Sequence, residues 1–223
     1  MIWLVVFSLI ILSISPIFSY AEIYFDELSD KPNKKFRETL SLQSCNCVAF
    51  RFDDVQGYWL NDVQIAVIET LQKKNIPLTI GIIGGEQFKF GNDTKITNFV
   101  KDKILAEKPL IEVANHGLNH ENFETFDRES QNNLITKSNE RISEILGITP
   151  KVFIPPLNEF NDDTLHVLQK NNFTHFSSML ETSKPPYLFE NVSVYHFPET
   201  STTGIFDREM GIFKKISNQK PLI

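Results

Sequence analysis

Apolar positions in this chain come as short unbroken runs alternating with series at helical spacing, most of them closed by a polar or chain-breaking residue. The run Cys47-Val48-Ala49-Phe50 leads through Arg51-Phe52 into Asp53-Asp54, and predicts a buried strand with two carboxylates at its C-terminal end. Val63, Ile65, Ala66, Val67, Ile68 and Leu71 follow as a helix with a broad apolar face, stopped before Pro77. Ile76 to Ile83 predicts the next strand, broken at its C-terminal end by Gly84-Gly85, and Ile96, Phe99, Val100, Ile104 and Leu105 repeat at helical spacing. Leu110-Ile111-Glu112-Val113 predicts a short strand running directly into Asn115-His116. A long helix from Asp127 to Leu146 is expected to stop at Gly147. Val152-Phe153-Ile154 then reads as a strand ended by Pro155-Pro156, and Asp162 or Asp163 is placed to cap a helix running to about Lys170. His175 to Ser178 and Val192 to Phe197 predict further strands, and Ile205 to Ile216 a last helix.

Strand and helix thus alternate some five times, which favours an α/β fold with a mainly parallel sheet, open or closed into a barrel. Polar residues recur just after the strands: Asp53-Asp54, Gly84-Gly85, His116 to His120, Pro155 to Asn158, and His196. In sheets of parallel strands, ligands and reactive groups gather at the C-terminal strand ends. Adjacent strand residues point to opposite faces, so Asp53 and Asp54 can serve one site only if the chain leaves strand geometry beside them.

Composition sharpens this picture. The 223 residues are 41% hydrophobic with 19 Phe, enough apolar material for one globular domain. The formal net charge of −6 argues against a nucleic-acid binder, which presents a basic face. Ile2 to Phe18 is nearly all apolar, and Ser19-Tyr20-Ala21 offers a small-x-small cleavage pattern. Residues 1–21 are therefore expected to be a signal peptide or an uncleaved membrane anchor, with a buried first helix as a third reading. Either of the first two makes the domain secreted or displayed at the cell surface, with membrane contact only where the leader is retained. Residues 22–44 are polar and read as an N-terminal arm, leaving 45–223 as the domain proper. Cys45 and Cys47 read as small buried residues, since a bridge between them would close a strained ring. Three glycosylation sequons begin at Asn92, Asn172 and Asn191.

The candidate chemistry centres on His116 and His120. Four residues apart, their imidazoles would share a face across one helical turn, a spacing suited to one metal ion. One carboxylate from Asp53-Asp54 completes a set of two His and one Asp with a place left for water, as in catalytic zinc sites. Iron, manganese or cobalt would accept the same ligands. His166 reads as a surface or packing residue and His175 as structural.

The order Phe52-Asp53-Asp54, then Asn115-His116-Gly117-Leu118-Asn119-His120, then Phe153-Ile154-Pro155-Pro156 resembles the polysaccharide deacetylase family, the fourth family of carbohydrate esterases. The likeness is greatest to a branch whose first motif reads R-x-D-D-V, as Arg51 to Val55 does, and it extends over about residues 45 to 200. It implies a distorted (β/α) barrel, with or without its last strand, and metal-dependent hydrolysis of N- or O-acetyl groups. On matching positions Asp54, His116 and His120 would hold a divalent metal, Zn2+ first and Co2+, Mn2+ or Fe2+ after it, with Asp53 as general base. Asn115 and Glu112 look like residues that orient the histidines. The family's third motif usually begins with an arginine that steers the base, and Phe153 to Pro156 has none; Arg51 either substitutes or forms a salt bridge at the sheet surface. Asn158 either meets substrate or shapes the loop. His196 is the candidate for the family's general acid.

The resemblance thus implies a deacetylase acting on an acetylated glycan. A glycan-binding module that keeps the metal site without turnover, and an amide hydrolase on a non-carbohydrate substrate, are the alternatives. Tyr58, Trp59, Phe88 and Phe90 lie where they could stack on a sugar, or could belong to the core.

Overall fold

The computed structural model describes residues 49–179 and 186–199, all within one compact unit spanning 47–219. The leader expected over 1–21, the arm expected over 22–44, Cys45, Cys47 and the helix expected over 205–216 lie outside the described residues. Among the described residues, no helix is long and apolar enough to cross a membrane.

Among the described residues, seven strands form one sheet: β1 (Phe50–Val55), β2 (Leu78–Ile82), β3 (Ile111–Asn115), β4 (Val152–Phe153), β5 (His175–Phe176), β6 (Tyr187–Leu188) and β7 (Tyr195–His196). Their spatial order is β1-β2-β3-β4-β5-β7-β6, with every pair parallel except the edge pair β6–β7. The α-helices among the described residues are α1 (Asn61–Gln72), α2 (Lys95–Ile104), α3 (Arg128–Leu146) and α4 (Asp162–Lys170). The strand–helix alternation of the sequence is the α/β sheet observed. The short antiparallel strand β6 carries no sequence signal, because two residues are too few to show alternation.

Strand alternation divides the sheet into two faces. Phe52 of β1, Leu78, Ile80 and Ile82 of β2, and Ile111 and Val113 of β3 pack against Ile68, Ile96, Val100, Ile142 and Leu146 of the helices. Farther along, Phe153 and Phe176 join Phe123, Leu168 and Phe173 in a second cluster, where Phe153 meets Phe123 edge-on at 5.2 Å. The opposite, inner face carries Arg51, Asp53, Thr79, Gly81, Glu112 and Ala114, the partners of those core positions by alternation. Ala114, Val152 and Ile154 form its apolar floor.

The inner face is strongly curved. From β1, Arg51 reaches Ser177 beyond β5 and Glu199 beyond β7 with hydrogen bonds of 2.8–3.0 Å, so the first strand and the segments after β5 and β7 lie within one side chain of each other. Two local expectations change. The cap of α4 is Asn161, whose side chain accepts from Thr164 N while Thr164 Oγ1 accepts from Asn161 N, a reciprocal pair. Asp162 and Asp163 instead occupy its first turn, where their charge suits the helix dipole. The paired strand over Val192–Phe197 shrinks to Tyr195–His196.

Candidate metal and active site

The condition set by the paired aspartates is met by a bulge. Phe52 pairs with Ile80 and Val55 with Ile82, so β1 carries one residue more than β2 between the two pairs. The extra residue is absorbed at Asp54, whose φ of 61° lies in the left-handed region that Asp tolerates better than most residues. Asp53 therefore keeps its inward strand position while Asp54 turns toward the same end of the sheet.

His116 follows directly from the end of β3, and its backbone N–H donates to Ile82 O at 2.9 Å. The segment from His116 to His120 is a loop rather than a helical turn, with φ of 77° at Gly117 and 60° at His120. The two imidazoles still meet, their centroids 5.3 Å apart at 70°. His116 is buried, and its Nδ1 lies 2.8 Å from the carbonyl of Ile154. A carbonyl only accepts, so Nδ1 carries a proton, and Nε2 is the ring nitrogen that faces Asp54. Asp54 Oδ1 stands 3.4 Å from His116 Nε2 and 3.0 Å from His120 Nε2. The adjacent His116 imidazole holds the Asp54 carboxyl below the usual carboxylate range, against the opposing effect of burial.

One ligand atom from each of Asp54, His116 and His120 lies within 4.8 Å of the others. Ligands about 2.1 Å from a tetrahedral zinc ion sit roughly 3.4 Å apart, so the cluster has the dimensions and the N,N,O donor set that a divalent transition metal requires. Asp53 stands beside this cluster. Its Oδ2 is 3.0 Å from Arg51 Nη2, and its Oδ1 is buried with no hydrogen-bond partner among the described residues.

The supports of the histidine loop differ from those expected. Asn115 points to the helix side and not at the imidazoles: Nδ2 donates to Ile135 O at 3.2 Å, while Oδ1 accepts from Gly117 N and from the buried Ser138 hydroxyl. Ser138 Oγ also lies 2.8 Å from Gly117 O, and Gly84 N donates to that same carbonyl at 3.0 Å. A Cβ on Gly84 would strike Ser138, and one on Gly85 would strike Leu118 O, so the glycine pair admits the histidine loop as well as ending β2. Glu112 bonds Thr79 at 2.9 Å and does not touch the histidines; Ile154 O orients His116 instead. Glu121 accepts from Leu118 N and Asn119 N and pins the loop from its far side.

Arg51 is no surface salt bridge. Its side chain is 15% exposed and paired with both Asp53 and Glu199. Asn158 belongs to the same group, its Oδ1 accepting from Arg51 and its Nδ2 donating to Glu199. Glu199 and Ser177 went unmarked in the sequence, where neither stands in a motif.

His196 is not brought to this cluster. It pairs in register with Phe176, on the core face of the sheet, and stacks on Phe189 at 5.3 Å with Ser178 Oγ 3.2 Å from its Nε2. A legible signal existed: Val192, Val194 and His196 alternate onto one side, and both valines are core. His166 is exposed on α4. His175 is inward, beside Tyr195 and Phe197, and burial pushes its imidazole below the ordinary value against the opposing charge of Glu112. Phe90 is core, whereas Tyr58 and Trp59 are mostly exposed on the loop after β1.

A curved, mainly parallel α/β sheet with a His-His-Asp cluster and a spare carboxylate at its strand ends defines a class of candidate metallohydrolases. The family model described as Polysaccharide deacetylase matches residues 42–176, more than half of the chain, and the chain belongs to that family. It is 30% identical over 137 residues to the peptidoglycan deacetylase of Helicobacter pylori, an overlap covering 60% of this chain and 44% of that protein, so the chain spans less than half of its length. A solved structure from Mycobacterium smegmatis, assigned to the polysaccharide deacetylases, superposes with a TM-score of 0.57 at 19% identity, covering 76% of this chain and 72% of that one; it shares the fold. A family 4 acetyl xylan esterase from Clostridium thermocellum, in complex with a cobalt ion, matches at TM-score 0.45 and 21% identity over 61% of this chain and 62% of its own.

Proposed function

We propose that this protein is a metal-dependent hydrolase that removes acetyl groups, N- or O-linked, from a cell-surface or extracellular glycan. The observation that carries the reading is the meeting of an N,N,O cluster able to hold a metal with a second carboxylate, Asp53, whose Oδ1 is buried and has no hydrogen-bond partner among the described residues. Asp54, His116 and His120 would hold the metal, zinc being the first choice. A divalent cation there supplies a Lewis acid that lowers the pKa of water and polarises an acyl oxygen.

The remaining steps belong to the chain's own groups. Asp53 Oδ1 takes the proton as the oxygen of water attacks the acetyl carbon. With His196 on the core face, Asp53 also returns that proton to the leaving nitrogen or oxygen as its bond to the acetyl carbon breaks. Acetate and the deacetylated sugar are released. The Nδ1–H of His116, fixed by Ile154 O, keeps its Nε2 lone pair directed at the cluster throughout. The apolar stretch Ile2 to Phe18, read from the sequence as a signal peptide or membrane anchor, supports placement outside the cytoplasm.

One observation favours a second reading, a glycan-binding module that keeps the site without turnover. His196, the sequence candidate for the acid, faces the core. The experiment that separates the two is metal content of the purified chain together with acetate release from an acetylated chitooligosaccharide. About one divalent ion per chain with acetate release supports the hydrolase, and metal without release supports the binding module. Asp53→Asn is expected to cost at least about 100-fold in kcat while metal content stays unchanged. Loss of metal on that change would make Asp53 a ligand and sink its assignment as base.

A further inference from the structure

We propose that Tyr58 and Trp59 form a sugar-stacking subsite beside the Asp54-His116-His120 cluster, taking the pyranose rings that flank the acetylated residue; the inference rests on the reading of the substrate as a glycan. Both rings stand in water on the loop after β1, Tyr58 64% and Trp59 58% exposed. That loop is held rather than slack. The buried Gln64 amide accepts from Gln56 N at 3.0 Å and donates to Gln56 O at 2.9 Å and to Trp59 O at 2.8 Å. Gly57 N donates to Phe88 O at 2.8 Å, and Asn61 Nδ2 to Gly57 O at 3.1 Å. Leu60 is kept at a φ of 53°, a left-handed conformation that is costly for leucine and persists only where its surroundings enforce it. Exposed aromatics on a fixed backbone give up little conformational freedom when a ligand covers them.

The neighbours of the loop place it on the rim of the cluster. Gln87, in the segment after β2, bonds Asn119 of the histidine loop. The next two residues of that segment meet the aromatic loop, Phe88 through the bond to Gly57 and Lys89 with its Nζ 5.4 Å from the centre of the Tyr58 ring. Across the C-terminal strand ends the order therefore runs from His116–His120, through residues 87–89, to Tyr58 and Trp59. Asp54, four residues before Tyr58, opens to solvent on the same rim. The chemistry of the patch suits a carbohydrate: the C–H face of a pyranose lies flat on an aromatic ring while its hydroxyls call for polar partners. Leu60 and Val63 line an open depression of about 540 Å³ together with Asn61, Asp62, Thr94 and Lys95, a mixture of apolar, amide, hydroxyl and charged groups. The exposed Asp62 carboxylate in this patch argues against an anionic bilayer.

Trp3, in the expected leader, is the other of the two tryptophans, so the full chain carrying Trp3→Phe emits from Trp59 alone. Metal-free chain is titrated with chitohexaose and, separately, with acetylated xylohexaose. A saturable change in Trp59 emission with either glycan is expected, and Tyr58→Ala is expected to weaken that binding about tenfold. Emission unmoved by both glycans would overturn the subsite. So would emission that responds only to phosphatidylcholine vesicles containing phosphatidylglycerol, which would make the patch a membrane contact.

Turnover supplies the second readout, in zinc-loaded chain fed chitohexaose or chitobiose. Trp59→Ala is expected to lower the hexamer-to-dimer ratio of kcat/KM about tenfold, and Trp59→Phe, which keeps a ring, to lower it only about twofold. A merely structural Trp59 would act on both substrates alike and leave the ratio unmoved, which would overturn the proposal. Both side chains are mostly exposed, so the melting temperature of each variant is expected to stay within about 2 °C of the parent. Glycan binding at Trp59 without acetate release from either glycan would defeat the hydrolase reading and support the subsite. Acetate release with a hexamer-to-dimer ratio that neither variant moves would defeat the subsite and leave the hydrolase standing.

Discussion

Gly81 sits on the inner face of β2, directly against the ring of His116. A Cβ built there would stand 3.3 Å from His116 Cβ and Cγ and 3.4 Å from Ile154 Cδ1. Gly81 does not have a positive φ, so Gly81→Ala meets no backbone objection and should gain about 0.4–1 kcal/mol from a less flexible unfolded chain. The new methyl instead presses on the imidazole, which must retreat by a few tenths of an ångström. His116 has little room to do so, because its Nδ1 is tied to Ile154 O at 2.8 Å and its backbone N–H, just past the end of β3, is tied to Ile82 O at 2.9 Å. Metal sites tolerate ligand displacements of about 0.2 Å, so a shift of this size should weaken metal affinity roughly tenfold, and Gly81→Val roughly 100-fold. A tenfold weaker site removes about 1.4 kcal/mol of metal-dependent stabilisation at saturating zinc. The assay is competitive Zn2+ titration against a chromophoric chelator, paired with melting in chelator and in zinc. The expected signature is an unchanged or raised melting temperature without metal and a smaller rise with it. Wild-type zinc affinity in both variants would refute the packing argument, and a large loss of metal-free stability would show that the methyl strains the sheet rather than the ligand.

Two further outcomes follow from the fold. Asn161→Ala removes the α4 cap, the Nδ2 bonds to Glu124 O and Phe126 O, and an acceptor for the buried Gln131 amide; thermal melts should show a loss of about 2–3 kcal/mol, with a change under 0.5 kcal/mol refuting the assignment. His175 is held neutral by burial, so as pH falls below about 6.5 the unfolded chain takes up a proton the folded one resists; stability should decline from there toward the lower folded pKa. Urea melts between pH 7 and 5 should show a flatter pH dependence in His175→Gln, and an unchanged slope would count against the burial of this ring.

Much of the scaffold could be read from spacing alone. The helical series from Val63, Ile96 and Asp127 and the strand runs into Asp53 and His116 all correspond to elements, because each alternates or repeats over enough residues to show its period. The candidate site was legible where its residues stand in one short stretch: the paired aspartates and the two histidines. What escaped was set by parity and register. Whether Arg51 points inward depends on which face of β1 meets the helices, and its partners Ser177 and Glu199 come from chain more than 120 residues away. His196, expected near the cluster from its polarity, falls on the core face because strand alternation sets it on the same side as Val194. Asn115 was expected to orient the histidines by proximity, yet strand alternation sends it to the opposite face.

The left-handed backbone at Asp54 and His120 restricts what evolution can place there. Two of the three cluster residues occupy φ near 60°, a region where Asn, Asp and His are enriched among residues with a side chain. Glutamate and cysteine are capable metal ligands in general, but they are less at ease in that conformation. With the proposed metal site, conformation and coordination would filter the same two positions at once, and the overlap of the two filters at position 54 is little more than Asp, Asn or His. Drift at these positions should follow that short alphabet, and a sequence carrying any other residue at either would have had to rebuild the bulge or the loop before it could keep the site.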